Sequence, residues 1–191
     1  MNLYDILGFL TGALCVLLLV FKSVWNWPFA ILNAGVFFVS FVTAGLYGDA
    51  SLQIVFIAIS IYGWLYWLRG GEAHHEAPIT RLPWQGHIAT LAFVALATWA
   101  LASVLQTWLH STVPLWDGLT TSLSLGAIFL QSRKYLDNWY YWIVADVIYV
   151  PLYVAKGLPL TGLLYVIFIP MCLAGIITWN RTLTTRTALA T

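Results

Sequence analysis

One carboxylate in this chain occupies a place where a carboxylate is expensive. Asp146 falls near the middle of the apolar stretch from Asn138 to Gly157, NWYYWIVADVIYVPLYVAKG. An aspartate at the centre of a membrane helix costs roughly 2.5–3.5 kcal/mol on insertion scales, so it normally faces protein or a watery cavity and marks a functional site. Trp139, Trp142, Asp146, Tyr149 and Tyr153 follow at spacings of 3, 4, 3 and 4, which puts all five on one helix face. A carboxylate flanked by aromatic rings suits a flat, polar or cationic ligand. The bland alternative is a structural bond from Asp146 to a helix backbone or to Asn33.

A second polar-aromatic face comprises Gln53, Phe56, Ser60, Trp64 and Trp67, spaced 3, 4, 4 and 3. A pocket between the two faces would be lined by Asn33, Gln53 and Ser60 on one side. Trp142, Asp146 and Tyr149 would line the other. Trp142 and Tyr149 are the expected ring-stacking residues, with Trp64 and Trp139 at the margins. Trp and Tyr also gather at membrane interfaces, so Trp25, Trp27, Trp64, Trp67, Trp139 and Trp179 read as anchors more readily than as ligand contacts. Gln53 and Ser60 read equally well as bonds to a neighbouring helix.

The elements that position these residues follow from composition. The 191 residues are 61% hydrophobic and 8% charged, with a mean hydropathy of +0.86. A soluble domain of that size could not bury so much apolar surface. The chain is read as all-α and polytopic, with spans at 3–21, 25–45, 50–68, 87–109, 115–132, 138–155 and 159–179, each near the 20 or so residues a bilayer requires. The first span lacks a basic leader and a small-residue cleavage site and reads as a retained helix. Residues 69–86 form the one real loop, and the Thr-rich tail from Asn180 is expected to be loosely ordered. Pro151 and Pro170 interrupt helices and are candidate kinks. Lys22, Arg69, Arg81, Arg133, Lys134, Arg181 and Arg186 fall on one side of a seven-span arrangement and Lys156 on the other. That asymmetry puts the N-terminus outside and the C-terminus in the cytoplasm.

An internal repeat sharpens the architecture. When the chain is laid over itself without gaps so that Asp5 meets Asp117, Lys22, Asn26, Trp27, Gly45, Phe56, Gly63 and Trp67 meet Lys134, Asn138, Trp139, Gly157, Phe168, Gly175 and Trp179. Three spans per repeat with one between them give a parallel 3+1+3 plan about an axis along the membrane normal. The expected units are residues 1–68 (first repeat), 69–114 (loop and linker helix), 115–180 (second repeat) and 181–191 (cytoplasmic tail). Parallel-repeat transporters bind substrate between the halves near the midplane, and Asp146 lies at that depth. The repeat is chemically unequal: the mate of Asp146 is Ala34.

Other chemistry is unsupported. Glu72, His74, His75 and Glu76 are metal-ligand types in a polar, flexible loop without further ligands, and read as solvated. Cys15 and Cys172 lie in apolar segments and read as small core residues. There is no nucleophile–base pair, phosphate loop or metal motif. The chain is not read as an enzyme, and no metal, cofactor or nucleic-acid partner is expected.

Gln53, Tyr62-Gly63-Trp64-x-x-Trp67 and Arg133-Lys134-Tyr135-x-x-Asn138-Trp139-x-x-Trp142 together resemble the Pnu-type vitamin transporters, whose nicotinamide riboside members are called PnuC. The resemblance covers nearly the whole chain, and its plan also resembles a doubled SWEET sugar transporter. It implies facilitated diffusion of a vitamin precursor across a bacterial inner membrane, with trapping by a cytoplasmic kinase that need not touch the transporter. The bilayer and the small substrate are the expected partners, and a homo-oligomer is compatible with the pattern. In nicotinamide riboside members the family pattern implies asparagine where this chain has Ser60 and Asp146. Both departures move toward the thiamine and riboflavin branches, so nicotinamide riboside stands first with thiamine close behind. The rival classes are a SWEET-type sugar transporter, a binding subunit of an energy-driven importer, and a structural membrane subunit.

Overall fold

The computed structural model describes residues 3–43, 47–71, 76–108, 113–155 and 159–189. Seven helices follow in order: α1 (Leu3–Val20), α2 (Asn26–Thr43), α3 (Tyr47–Arg69), α4 (Trp84–Thr107), α5 (Pro114–Ser132), α6 (Asn138–Ala155) and α7 (Pro159–Leu189). No strand occurs among the described residues; one isolated bridge pairs Thr80 with Tyr135. Helices α2 and α4, with Ala50–Arg69 of α3 and Gly162–Thr185 of α7, are each long and apolar enough to cross a membrane; Ile6–Val20 is a shorter apolar stretch. Helix α5 escapes that test because Thr120, Ser122, Ser124, Gln131 and Ser132 are buried along it. A helix sheathed by other helices does not need an apolar surface. The whole fits a multi-pass membrane protein.

Sequential helices pack together within each half, but α3 packs on α5 instead of α4, and α1 closes the bundle against α7. Helices α1 and α5 end in the same way. Lys22 N–H and Ser23 N–H bond Leu19 O and Leu18 O; at the matching positions of the second repeat Lys134 N–H and Tyr135 N–H bond Gln131 O and Leu130 O. Both turns are of the Schellman type, and such turns need a left-handed residue that is usually glycine. Here it is lysine twice, at φ 59° and 60°. A side chain in that conformation costs about 1–2 kcal/mol, so both lysines are expected to recover something through their ammonium groups. Lys134 does so over the face of Trp67, 4.6 Å from its centroid, and in an ion pair with Glu76. Lys22 donates to Thr182 Oγ1 at 2.7 Å.

The turns lead into the core. Asn26 Nδ2 donates to Ser23 O at 2.7 Å, and Asn138 Nδ2 to Tyr135 O at 2.6 Å. Trp27 lies flat against Gly63 and Trp139 against Gly175, so a Cβ on either glycine would strike an indole. Trp27 meets Trp67 edge-on at 5.5 Å, Trp139 meets Trp179 at 5.6 Å, and Trp67 meets Trp179 at 5.8 Å. The four indoles are almost wholly buried. Reading Trp27, Trp67, Trp139 and Trp179 as interface anchors is therefore corrected: each needs a bare glycine or another indole to lie on, which a lipid interface does not supply. Trp25 is exposed, and Trp64 is half-buried against this core. Between apolar helices in lipid, such close packing and hydrogen bonding replace the hydrophobic drive, and each edge-on aromatic pair adds about 0.5–1.5 kcal/mol.

Two expectations about order change. Helix α7 runs through the Thr-rich tail to Leu189; Leu183 packs on the core, and Thr182, Thr184 and Thr185 satisfy their hydroxyls on the carbonyls four residues back. The α3–α4 connection is strapped down: Ala77 N–H bonds Trp67 O, Thr80 exchanges backbone bonds with Lys134 and Leu136, and Ala77 and Ile79 are buried. Glu72, His74 and His75 lie outside the described residues, as do Gly45 and Gly157. Helices α6 and α7 continue through Pro151 and Pro170.

Candidate functional site

Helix α6 turns its predicted face inward. Trp139 and Asp146 are buried and Trp142, Tyr149 and Tyr153 partly so, while Tyr140, Val144, Val147 and Val154 are exposed on the opposite side. Asp146 retains 2% exposure. Its hydrogen-bond partner is Cys172 of α7, whose thiol donates to Oδ2 at 3.6 Å. Among the described residues no cation pairs with it: the two ion pairs are Lys134–Glu76 and His87–Asp137. Asp146 is thus a buried carboxylate held by one weak donor, and such groups ordinarily require a paired charge or stronger bonds.

An aromatic wall stands one turn away. Tyr149 stacks on Tyr165 of α7 at 4.4 Å, Tyr153 stacks on the same ring at 5.4 Å, and Phe168 meets Tyr165 edge-on at 5.8 Å. The Tyr149 hydroxyl shares a hydrogen bond with Ser124 Oγ of α5 at 3.2 Å. Trp142 donates to Gln131 Oε1 at 3.1 Å, and the same buried amide donates to Asn26 Oδ1 at 3.3 Å. Gln131 therefore sets the orientation of Trp142 and ties α5 to α2.

The structure brings together Trp142, Asp146 and Tyr149 and distributes the other predicted residues differently. Asn33 does not reach Asp146; its Nδ2 donates to Gly8 O at 2.9 Å and Thr11 Oγ1 at 2.8 Å, so it fastens α2 to α1. It does approach the aromatic wall, since Asn33 and Phe168 both lie against the bare Cα of Gly12. Gln53 is half-buried. Ser60 is buried, and its hydroxyl and the indole N–H of Trp139 find no hydrogen-bond partner among the described residues. Trp64 packs on the tryptophan core, away from any bond to Asp146. No hydrogen bond joins Asp146 to Gln53, Ser60 or Asn33 among the described residues.

Gln131, Tyr165, Ser124 and Cys172 are the residues that spacing along α6 could not reveal. Cys172 was readable as the repeat mate of Ser60 and Tyr165 as the mate of Gln53; Gln131 was visible only as an amide in an apolar run. Among the described residues no group of three His, Cys, Asp or Glu could hold a metal. A carboxylate, a thiol, hydroxyls and stacked phenols are thus gathered between α5, α6 and α7.

A family model described as nicotinamide mononucleotide transporter matches residues 2–181. The riboflavin/roseoflavin transporter RibM of Streptomyces davaonensis is 29% identical over 178 residues, covering 92% of this chain and 83% of that protein. The nicotinamide riboside transporter PnuC of Escherichia coli is 26% identical over 200 residues, covering 92% and 84%. A crystal structure of the vitamin B3 transporter PnuC superposes with a TM-score of 0.73 over 94% of this chain and 81% of that one, at 24% identity; this likeness speaks for the fold.

Proposed function

The chain belongs to the nicotinamide mononucleotide transporter family, whose members are transporters and not enzymes, and on that premise we propose that it carries nicotinamide riboside or a close vitamin precursor by facilitated diffusion. The observation that carries the reading is the buried Asp146 beside the Tyr149–Tyr165 stack. Asp146 and the Ser60 hydroxyl supply polar contacts, Trp142 and Tyr149 supply the stacking surface, and Gln53 and Trp64 complete the side formed by α3. Asn33 and Trp139 act beneath them as supports.

In this mechanism two three-helix units, at residues 1–68 and 115–180, rock about a midplane site, with the 69–114 connection and its helix between them. The parallel 3+1+3 repeat is supported by the paired contacts at matching positions of the two units, above all by a reciprocal bond. Trp67 Nε1 of the first unit donates to Gln131 O of the second at 3.0 Å, and Trp179 Nε1, its mate, donates to Leu19 O of the first at 3.1 Å. The lysine turns face the cytoplasm of a bacterial inner membrane, as the distribution of basic residues supports. Residues 181–189 then carry α7 onward as a helical extension on that side, within the expected tail at 181–191. Net uptake follows from phosphorylation of the product by a cytoplasmic kinase.

Riboflavin is the second reading, favoured by the relative at 29% identity and by the tyrosine wall, which suits a neutral ring system. The experiment is thermal stabilisation of the purified protein by nicotinamide riboside, thiamine, riboflavin and glucose, followed by counterflow in liposomes with each binder. A ligand at ~100 Kd stabilises by about 2.7 kcal/mol. A shift with nicotinamide riboside is expected. A shift with riboflavin alone moves the protein to the second reading, and a shift with glucose alone overturns both.

A further inference from the structure

The two seams between the halves are built from the same reciprocal bond, yet they are fastened very unequally. At the α1–α7 seam, Trp179 Nε1 bonds Leu19 O and Lys22 Nζ bonds Thr182 Oγ1. At the α3–α5 seam, Trp67 Nε1 bonds Gln131 O, Arg133 donates to the Tyr62 hydroxyl at 2.8 Å and lies over the Tyr66 ring at 4.4 Å, and Lys134 covers Trp67. The strap then crosses this seam. It leaves Trp67 O through Ala77 N–H, pairs Thr80 with the 134–136 backbone, and pairs Glu76 with Lys134. It ends on Asp137, whose Oδ2 accepts Leu82 N–H at 2.7 Å, and Arg81 anchors it to Asn180 of α7 at 2.8 Å. Nothing equivalent crosses the α1–α7 seam among the described residues.

Helix α4 belongs mechanically to the second half. A Cβ on Gly118 of α5 would lie 3.0 Å from Thr98 O and 3.1 Å from Ala102 N of α4, so the two backbones touch. His87 at the start of α4 contacts both Asp137 and the Tyr141 hydroxyl of α6.

From this inequality we infer that the end of the molecule bearing Lys22 and Lys134 opens along the α1–α7 seam, with the strapped α3–α5 seam as its hinge. This rests on the alternation proposed above and adds its direction. Two packed bodies part where the fewest bonds must break together. At α1–α7 the hydrogen bonds seen among the described residues are one from an indole and one from an ammonium, both replaceable by water. At α3–α5 the Trp67 indole bond, the Arg133 contacts with Tyr62 and Tyr66, the Lys134 contact with Trp67 and the Ala77–Trp67 bond would all have to break. Helices α4 to α7 then travel as one body and α1 to α3 as the other.

The test uses zinc bridges that a chelator reverses, with the native cysteines left in place. One double variant is Lys22→His with Thr182→His, across the α1–α7 seam; histidine tolerates the left-handed position better than most residues. The other is Tyr62→His with Arg133→His, across α3–α5. Exchange of nicotinamide riboside is followed in liposomes, with the unsubstituted protein and the single variants as zinc controls. Zinc is expected to slow the first variant at least tenfold, with recovery on chelation, and to change the second less than twofold. Equal block of both, or block of the second alone, overturns the hinge. Failure of the unsubstituted protein to exchange any of the vitamins overturns the transport reading itself. Hydrogen exchange on the unsubstituted protein needs no variant that might misfold: the 21–26 turn should exchange at least tenfold faster than the 133–138 turn, and equal rates overturn the proposal.

Discussion

The two halves share their frame and differ in their contents. Lysine turn, capping asparagine, indole on glycine and second indole recur at matching positions, with distances that agree within a few tenths of an ångström. The residues of the candidate site do not recur. Where the second half pairs Asp146 with Cys172, the first has Ala34 and an unpartnered Ser60. Where α7 offers Tyr165, α3 offers Gln53. In the proposed alternation, a frame that moves as a pair keeps its bearings alike, and a ligand without two-fold symmetry meets different chemistry on its two sides.

The comparison can be broken most severely at Asp146. Asp146→Ala is expected to reduce uptake and binding more than about 100-fold, as truncation of a buried charge partner does, while the amount of protein in the membrane stays the same. Transport assay and quantitative blotting check both parts. Ala34→Asp would copy the charge into the half that lacks it, beside a serine and no cation. It should cost about 3 kcal/mol of stability, read as a lower unfolding temperature in detergent, with no gain in binding.

Smaller effects sharpen the likeness of the frame. Gly63→Ala and Gly175→Ala push a methyl into Trp27 and Trp139 respectively, and each should cost about 1–3 kcal/mol by similar amounts in thermal unfolding. Trp179→Phe removes one indole donor, about 1 kcal/mol. Trp67→Phe should cost about 0.5 kcal/mol more, because Lys134 also exchanges an indole face for a weaker phenyl one. Smallest of all, collapsing the proton gradient should leave counterflow of the substrate unchanged; its disappearance would replace simple facilitation with coupling.

Much of this was legible in the chain. Seven apolar stretches gave seven helices, six of them within a few residues and the seventh longer at its C-terminal end, and the 3, 4, 3, 4 spacing around Asp146 correctly assigned its inward face, because both depend on local periodicity. Matches in Trp, Gly, Asn and Lys between the two parts pointed to residues that make equivalent contacts. The fate of the tryptophans was not legible: an interface belt and a packed core draw on the same residue type at the same helix ends, and only the facing glycine tells them apart. Asn33 has the polarity of a ligand contact, yet its amide is consumed by the Gly8 carbonyl across α1, a partner fixed by helix packing. Gln131 and the strap were missed for the same reason. Their roles depend on bonds to residues 64 and 105 positions away for Gln131 and 55 to 99 away for the side-chain bonds of the strap, which no local pattern encodes.

The exchange of indole bonds also bears on how the chain is made. The carbonyl of Leu19 emerges 160 residues before the Trp179 that caps it, whereas Gln131 finds Trp67 already synthesised. Helix α7 therefore adds the last bond to the end of α1. A chain truncated before Trp179 leaves the Leu19 carbonyl with the Lys22 N–H alone and the tryptophan array one ring short, a defect felt far along the sequence from the break.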